Sequence, residues 1–331
     1  MTTCHCCNGE VKKFGSYRNK NRVVQRFCCV RCNKTFSESQ PLDGITIEHG
    51  KIVQIVKLLV EGVGVRACAR LVDCDPHTIL KVLSTIGQKC ESLHDRLVHN
   101  IQTESLQIDE LWARVASSQR RTIPTEQERG DIYTYLAVTA CEKFIVSYYT
   151  AKRSYWNTDS FVTDVANRIA GRVQITSDSY RPYQSVVKRH LGARTDFATM
   201  QKIYAIPFGA SGEYGRRYSP PICTGVKVRI QVGSPEKDKI STSFVERANL
   251  SVRHFNKRFA RLGLSWSRKL TNHKHAVSLF VAAHNFCKVH GTLGTTPAQA
   301  IGLTQETWTI ERLISEAASS SDATTKTAAT G

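Results

Sequence analysis

Three carboxylates set at wide, nearly equal intervals are the residues in this chain best suited to chemistry. Asp109 and Glu110 interrupt the apolar and aromatic run LQIDELWARV, Asp178 closes the run VQITSD, and Glu246 lies in STSFVERANLSVRHF. A charge that loses its water must be paired, neutralised or bound to a metal, so acids inside an apolar strand mark an ion pair or a site. Acids drawn together from distant positions form an oxygen cage for two divalent cations. Mg²⁺ or Mn²⁺ in such a cage keeps positions open for water and for a substrate phosphate. Side chains alternate along a strand, so Glu110 points away from Asp109 and either pairs with a basic neighbour such as Arg114 or stands just behind the metal ligands.

Cysteines supply a second constellation. Cys4 and Cys7 form one C-x-x-C, Cys29 and Cys32 a second, and 21 residues lie between Cys7 and Cys29. Two such knuckles make a tetrahedral site for one structural Zn²⁺. His5, Cys6 and Cys28 lie beside these ligands and can replace one of them. The first 40 residues are rich in Cys, Lys, Arg and Asn and poor in aliphatics. Zinc therefore supplies the folding energy that this segment lacks.

A third motif is VRACARLVDCDPHTILKVL, residues 65 to 83. It reads as two helices joined by a turn at residues 73 to 75, with Pro76 opening the second helix, where its missing N–H costs nothing. The pattern resembles a DNA-binding helix-turn-helix, although such units often carry Gly where this chain has Asp73. His77, Thr78 and Lys81 then face a major groove.

These residues need elements to hold them. Residues 45 to 97 show helical periodicity, with Ile52, Ile55, Val56 and Leu59 at spacings of three and four. The runs LQIDELWARV, YTYLAVTAC, KFIVSYYTA, VQITSD and TDFATMQKIY read as strands. Helices are predicted at WNTDSFVTDVANRIAG and SYRPYQSVVKRHLG, which gives the order βββαβα and then a further strand. In a unit of the ribonuclease H type the first and fourth strands are neighbours, so Asp109 and Asp178 meet on the sheet, and Glu246 comes from a later helix. Residues 206 to 240 read as loop with a short strand at KVRIQV. Helices are predicted over residues 241 to 261 and at HKHAVSLFVAAHNFCKVH. The last segment, SEAASSSDATTKTAATG, lacks apolar periodicity and reads as disordered. Trp112 and Trp266 read as core.

The formal charge is +18, which points to a polyanionic partner. It is concentrated in residues 241 to 275, where Arg247, Arg253, Lys257, Arg258, Arg261, Arg268, Lys269 and Lys274 face the single acid Glu246. Lys257 and Arg258 read as phosphate contacts. No apolar run approaches the roughly 20 residues that span a bilayer, and the N-terminus has no hydrophobic signal core. A cytoplasmic, nucleoid-associated protein with reduced thiols is expected, with no membrane partner.

Taken together, these motifs resemble the DDE-type insertion-sequence transposases, most of all the InsA/InsB type. The likeness is carried by the C-x-x-C element and helix-turn-helix, the IDE-W strand, the SD strand end, the ER-N helix and the closing HNFCKVHGTLGTTPAQAIGL, over nearly all of residues 4 to 305. It implies a multidomain chain: a zinc ribbon (1–42), an all-α helix-turn-helix domain (45–100), an α/β ribonuclease H-like catalytic domain with a mixed sheet and flanking helices (101–305), and a mostly disordered tail (306–331). It implies Mg²⁺-dependent cleavage and strand transfer of double-stranded DNA, at element ends and target, by Asp109, Asp178 and Glu246. Many relatives carry a basic residue seven positions after the glutamate, and Arg253 stands there, two helical turns on and so on the same face. The namesake type also makes its N-terminal part separately, whereas here both parts form one chain. Holding two ends together implies a homodimer or a larger assembly. A DNA-binding repressor derived from a transposase and a structure-selective nuclease are the alternatives; the first needs no intact acid triad, and the second performs no joining.

Overall fold

The computed structural model describes residue 4 and residues 9–19, 22–37, 42, 45, 47–123, 125–205, 222–260 and 263–319. Strands β1 (Val11–Asn19), β2 (Arg22–Cys29) and β3 (Thr35–Ser37) form a small antiparallel sheet in the order β1-β2-β3. Three helices follow: α1 (His49–Val60), α2 (Val65–Val72) and α3 (Pro76–Leu97).

The turn between α2 and α3 shows why this sequence can make it. Asp73 caps α2 at φ +51°, in the left-handed region that Asp and Asn tolerate better than most residues, so it does the work a glycine often does there. Asp75 then accepts a hydrogen bond from the backbone N–H of His77 at 2.7 Å, and Pro76 follows as the first helical residue.

One face of α3 is buried along its length, by Ile79, Val82, Leu83, Ile86, Gly87, Cys90, Leu93 and His94. Its Gly87 touches the backbone of α7 (Leu270–Phe286): a Cβ added at Gly87 would lie 2.3 Å from the carbonyl oxygen of His275. Helix propensity alone gives alanine an advantage of about 1 kcal/mol over glycine. Overpacking against a main chain that cannot yield costs about 1–3 kcal/mol or more. Gly87→Ala is therefore expected to lower the melting temperature, and an unchanged or raised value would show that α3 and α7 can separate at no cost.

The large sheet has six strands: β4 (Ser105–Val115), β5 (Gly130–Thr139), β6 (Ile145–Ala151), β7 (Val173–Ser177), β8 (Thr195–Ala205) and β9 (Ile222–Val232), ordered β6-β5-β4-β7-β8-β9. β4, β7 and β8 run parallel, while β5, β6 and β9 pair antiparallel to their neighbours. Helices α4 (Tyr155–Arg168) and α5 (Arg181–His190) cover one face, where Phe161, Val165, Tyr183 and Val187 pack with Ile108, Tyr135 and Phe197. The other face receives α6 (Ser243–Phe255), whose Val245, Ala248 and Val252 meet Leu111, Ala113 and Leu136. Helix α7 is buried almost all round and contributes to both layers, which explains its apolar composition. A mixed sheet with helices on both faces is consistent with a ribonuclease H-like catalytic domain.

Two segments depart from the expectations. β9 begins at Ile222 and has 11 residues, rather than being a short strand in a loop. Most of it is exposed and none of it is buried, so it carries no inside–outside alternation to read. Residues 206–221 lie outside the described residues. The C-terminal part is also corrected: after the short α8 (Pro297–Ala300), α9 (Ile310–Ser319) is a regular helix with Leu313, Ile314, Ala317 and Ala318 buried at helical spacing, and Trp308 stacks on Phe286 at 4.6 Å between ring centroids. Apolar side chains at three-and-four spacing and an aromatic anchor hold this part in place. Residues 320–331 lie outside the described residues, and no helix among the described residues is long and apolar enough to cross a membrane.

Histidines in this core give the protein a pH signature. His94 on α3 is fully buried and bonds the carbonyl of Val146 at 2.9 Å, and burial pushes its imidazole down to about 3. An unfolded histidine takes up a proton near 6.5 while the folded one does not, so this group's contribution falls as pH drops below about 6.5. The destabilisation caused by His94→Leu is accordingly expected to shrink by about 2 kcal/mol between pH 7 and pH 5 in urea unfolding. An equal cost at both pH values would mean that His94 titrates normally in the fold.

Candidate metal centres

Register explains how the acids meet. β4 pairs with β7 over Ser105–Ile108, and the last matched pair is Ile108 with Ser177. The next residues along the two parallel strands are Asp109 and Asp178, which are therefore brought level. Asp178 stands just past the end of a five-residue strand that is buried throughout, and its Oδ1 accepts the backbone N–H of Tyr180 at 2.9 Å.

Glu246 comes from the helix layer and is not one of the three acids, Asp109, Glu110 and Asp178, whose oxygens lie within 4.8 Å of one another. Gln107, two residues before Asp109 and on the same side of β4, accepts the backbone N–H groups of Phe244 and Val245 at 2.8 and 3.0 Å. These bonds tie the N-terminus of α6 to β4. One helical turn after Glu246, Asn249 donates to Asp109 Oδ2 at 2.7 Å. The acid itself is held by Lys202 of β8, whose Nζ lies 2.6 Å from Oε1, and by the hydroxyl of Thr242 at 2.7 Å.

Glu110 lies closer to this site than alternation alone suggested. Its side chain is only 3% exposed and pairs with Arg153 at 3.1 Å, not with Arg114. One carboxylate oxygen from each of Asp109, Glu110 and Asp178 nevertheless lies within 4.8 Å of the others. Arg153 reaches to 4.0 Å from Asp178 and stacks on Tyr180 at 3.8 Å, so one guanidinium spans Glu110 and Asp178. Burial pushes Asp109 up to about 6, and the neighbouring charges of Asp178 and Glu246 act in the same direction. Burial, followed by Asp178, pushes Glu110 up to about 8. Burial is the main cause at both carboxyls, like charges nearby add to it, and the Arg153 guanidinium opposes it at both.

The donor set suits a hard divalent cation. It offers only oxygen ligands, several of them negative and close together, which is the chemistry Mg²⁺ and Mn²⁺ take and thiolate-seeking metals avoid.

The cysteine cluster has a different character. The Sγ atoms of Cys4, Cys29 and Cys32 lie within 4.8 Å of one another, and Cys4 and Cys32 stand 3.5 Å apart. The edge of a ZnS₄ tetrahedron with bonds of about 2.3 Å is about 3.8 Å. The backbone N–H of Cys32 points to Cys29 Sγ at 3.4 Å, and Cys28 turns its thiol to the carbonyls of Cys29 and Asn33 instead. Cys7, His5 and Cys6 lie outside the described residues.

The expected DNA-contact residues are distributed as follows. His77 and Lys81 are exposed on the first turns of α3, and Thr78 is half-buried between them. Arg253 is half-buried on α6 and Lys257 is exposed. Arg258 is turned inward: it donates to Ser267 Oγ at 2.8 Å, and burial pushes it down to about 10.

Asn249, Gln107, Arg153 and Lys202 were not singled out as site residues from sequence. Asn249 had a signal, the asparagine of the ER-N run three positions after Glu246. The others are tertiary partners with no local pattern.

No family model and no curated protein matches the chain. Among solved structures it is similar to a piggyBac transposase synaptic complex with hairpin DNA, at 9% identity, covering 81% of this chain and 69% of that one, with a TM-score of 0.36. It is also similar to the Mos1 strand transfer complex, at 10% identity, covering 74% and 81%, with a TM-score of 0.21. Likenesses this distant leave the function to the site's own geometry.

Proposed function

We propose that the chain is an insertion-sequence transposase that cuts and rejoins DNA at a site formed by Asp109, Asp178 and Glu246. The observation that carries this reading is the β4–β7 register, which sets Asp109 beside Asp178 under a helix that Gln107 and Asn249 fasten to the same strand. Such fastening serves a site that must hold its acids in fixed positions, which a DNA-binding regulator does not need.

Asp109, Asp178 and Glu246 would hold two Mg²⁺ or Mn²⁺ ions, with Glu110 beside them. Bound there, the cations supply Lewis-acid activation of the attacking oxygen and stabilisation of the leaving one. Asn249 fixes the rotamer of Asp109. Arg153 keeps Glu110 and Asp178 from repelling each other. Lys202 balances the charge of Glu246 while no metal is bound. Cys4, Cys7, Cys29 and Cys32 would hold one structural Zn²⁺, and the protein would act as a dimer or larger assembly because two DNA ends must be joined.

Recognition and general DNA affinity would be divided between elements. His77 and Lys81 project from the start of α3, as a groove-reading helix requires, whereas Lys257 follows the basic helix α6. Lys81→Ala is expected to weaken binding to element ends more than to random DNA. Lys257→Ala should weaken both alike and flatten the salt dependence by roughly one unit. Identical behaviour of the two variants in a salt-titrated binding assay would remove this division of labour.

The function itself is tested by incubating the full chain with duplex DNA carrying the element ends and Mg²⁺, then mapping the products. Cleavage that frees a 3′-OH, followed by joining to a second duplex, is the expected result. Cleavage without joining would identify a nuclease, and intact DNA in both Mg²⁺ and Mn²⁺ would sink the catalytic reading.

A further inference from the structure

β4 loses its neighbour just where the acids begin. Its pairing with β7 stops at Ile108, and the next contact on that edge is the bridge from Val115 to Ser267. Among the described residues, no strand pairs with the edge from Asp109 to Arg114 on that side. Asp178 stands at one end of this opening and Trp266 at the other.

At the Trp266 end is a cleft of about 890 Å³, lined by Trp112, Arg114, Arg120, Arg121, Trp266 and Arg268. Asp131 is the only acid among its described lining residues. The guanidinium groups of Arg114 and Arg268 lie over the Trp266 ring, 5.3 and 5.8 Å from its centroid. Arg120 and Arg121 are exposed at the rim in the 3₁₀ turn Gln119–Arg121.

Two donors in this cleft, the indole Nε1–H of Trp266 and the Nε–H of Arg114, are buried with no acceptor among the described residues. Buried donors without partners are rare because each costs the desolvation of its N–H, so a pair of them in one basic cleft calls for an acceptor from outside. The surroundings specify that acceptor. Four guanidinium groups require an anion, and an indole N–H adds a donor without adding charge.

We propose that this cleft binds the phosphodiester backbone of a single DNA strand and leads it along the open edge of β4 to the acids. Trp112 and Arg114 lie three and five residues beyond Asp109, roughly 10 to 17 Å along the strand. That distance corresponds to a few nucleotide steps. The cleft would thus grip the strand a few nucleotides from the reacting phosphate, with Trp266 Nε1–H and Arg114 bonding one phosphate and Arg120 and Arg121 meeting the next. The proposal rests on the DNA-processing reading above and deepens it.

Binding measured without metal tests it separately from catalysis. The probe is a fluorescent single-stranded oligodeoxythymidine, titrated with the full chain in EDTA and followed by anisotropy over a range of salt. Replacing both Arg120 and Arg121 by Gln is expected to weaken binding and to lower the salt slope by roughly 1.4, about 0.7 for each lost single-strand phosphate contact. Trp266→Phe keeps the ring and removes the donor, and should weaken binding by about tenfold. A probe with neutral methylphosphonate linkages should bind far less tightly than the charged one. The arginine pair is exposed, so the double variant decides the matter even where Trp266→Phe fails to fold. Unchanged affinity and salt slope in the double variant, or equal binding of the neutral probe, would overturn the proposal. If strand binding survives these tests but cleavage never occurs, the catalytic reading fails and this cleft remains a DNA site; if cleavage occurs and the cleft variants bind normally, only this inference falls.

Discussion

Alanine at Asp109, Asp178 or Glu246 is expected to abolish DNA cleavage and joining together, by about 1,000-fold or more each, while binding to element ends survives. In the proposed site all three would hold the same cations, so any two losses combined should cost little more than one. Folding should tolerate the changes: Asp109 is already pushed up to about 6 by burial and by its acidic neighbours, so removing its charge relieves repulsion in the metal-free protein. Glu110→Ala is expected to behave differently. Glu110 is paired with Arg153, and without it the guanidinium has Asp178 as its remaining acidic partner, 4.0 Å away. A misplaced Asp178 should lower activity by about 10- to 100-fold rather than abolish it. Parallel cleavage and joining assays on the four variants, with melting curves as controls, check the pattern. Should Glu246→Ala cleave like the parent, the third ligand has been misassigned.

The second large effect is expected at the cysteines. Among the described residues of the N-terminal sheet, Val24 is the only buried apolar side chain apart from Cys4, Cys28 and Cys29. One valine cannot hold three strands, so the fold of this segment should depend on zinc, with a contribution of roughly 10 kcal/mol. Cys29→Ser or strong chelation is expected to release one zinc per chain and to open residues 1–40 to proteolysis and hydrogen exchange, while the melting of the six-stranded domain stays within a few degrees of the parent. Undiminished protection of this segment in metal-free protein would rule zinc out as its support.

The parts of this molecule legible in the sequence are those with local causes. β4, β5 and β7 carry branched and aromatic runs, and Pro76 and Asp75 announce the start of α3. Asp109 and Asp178 could be picked out because an acid in or at the end of an apolar strand marks an ion pair or a site. Arg153, Lys202 and Gln107 left no trace, since an ion pair or a helix tether depends on which distant segment the fold brings near. Arg258 illustrates the reverse: it sits in a basic run that reads as contacting phosphate, yet the chain turns it inward to Ser267. Only KVRIQV, the second half of β9, reads as strand from sequence, because both faces of β9 meet solvent over most of its length. Trp266 read as core, and only the structure sets it beside two guanidinium groups in a basic cleft.

The claim that Asp109 ligates a catalytic metal is tested most directly by Asp109→Cys, assayed for cleavage and joining in Mg²⁺ and in Mn²⁺. A sulfur ligand binds Mg²⁺ poorly and Mn²⁺ better. Activity should therefore vanish in Mg²⁺ and return in part in Mn²⁺, with the parent active in both. Parent-level activity of Asp109→Cys in Mg²⁺ would contradict the assignment, because a residue that tolerates that exchange does not hold the metal.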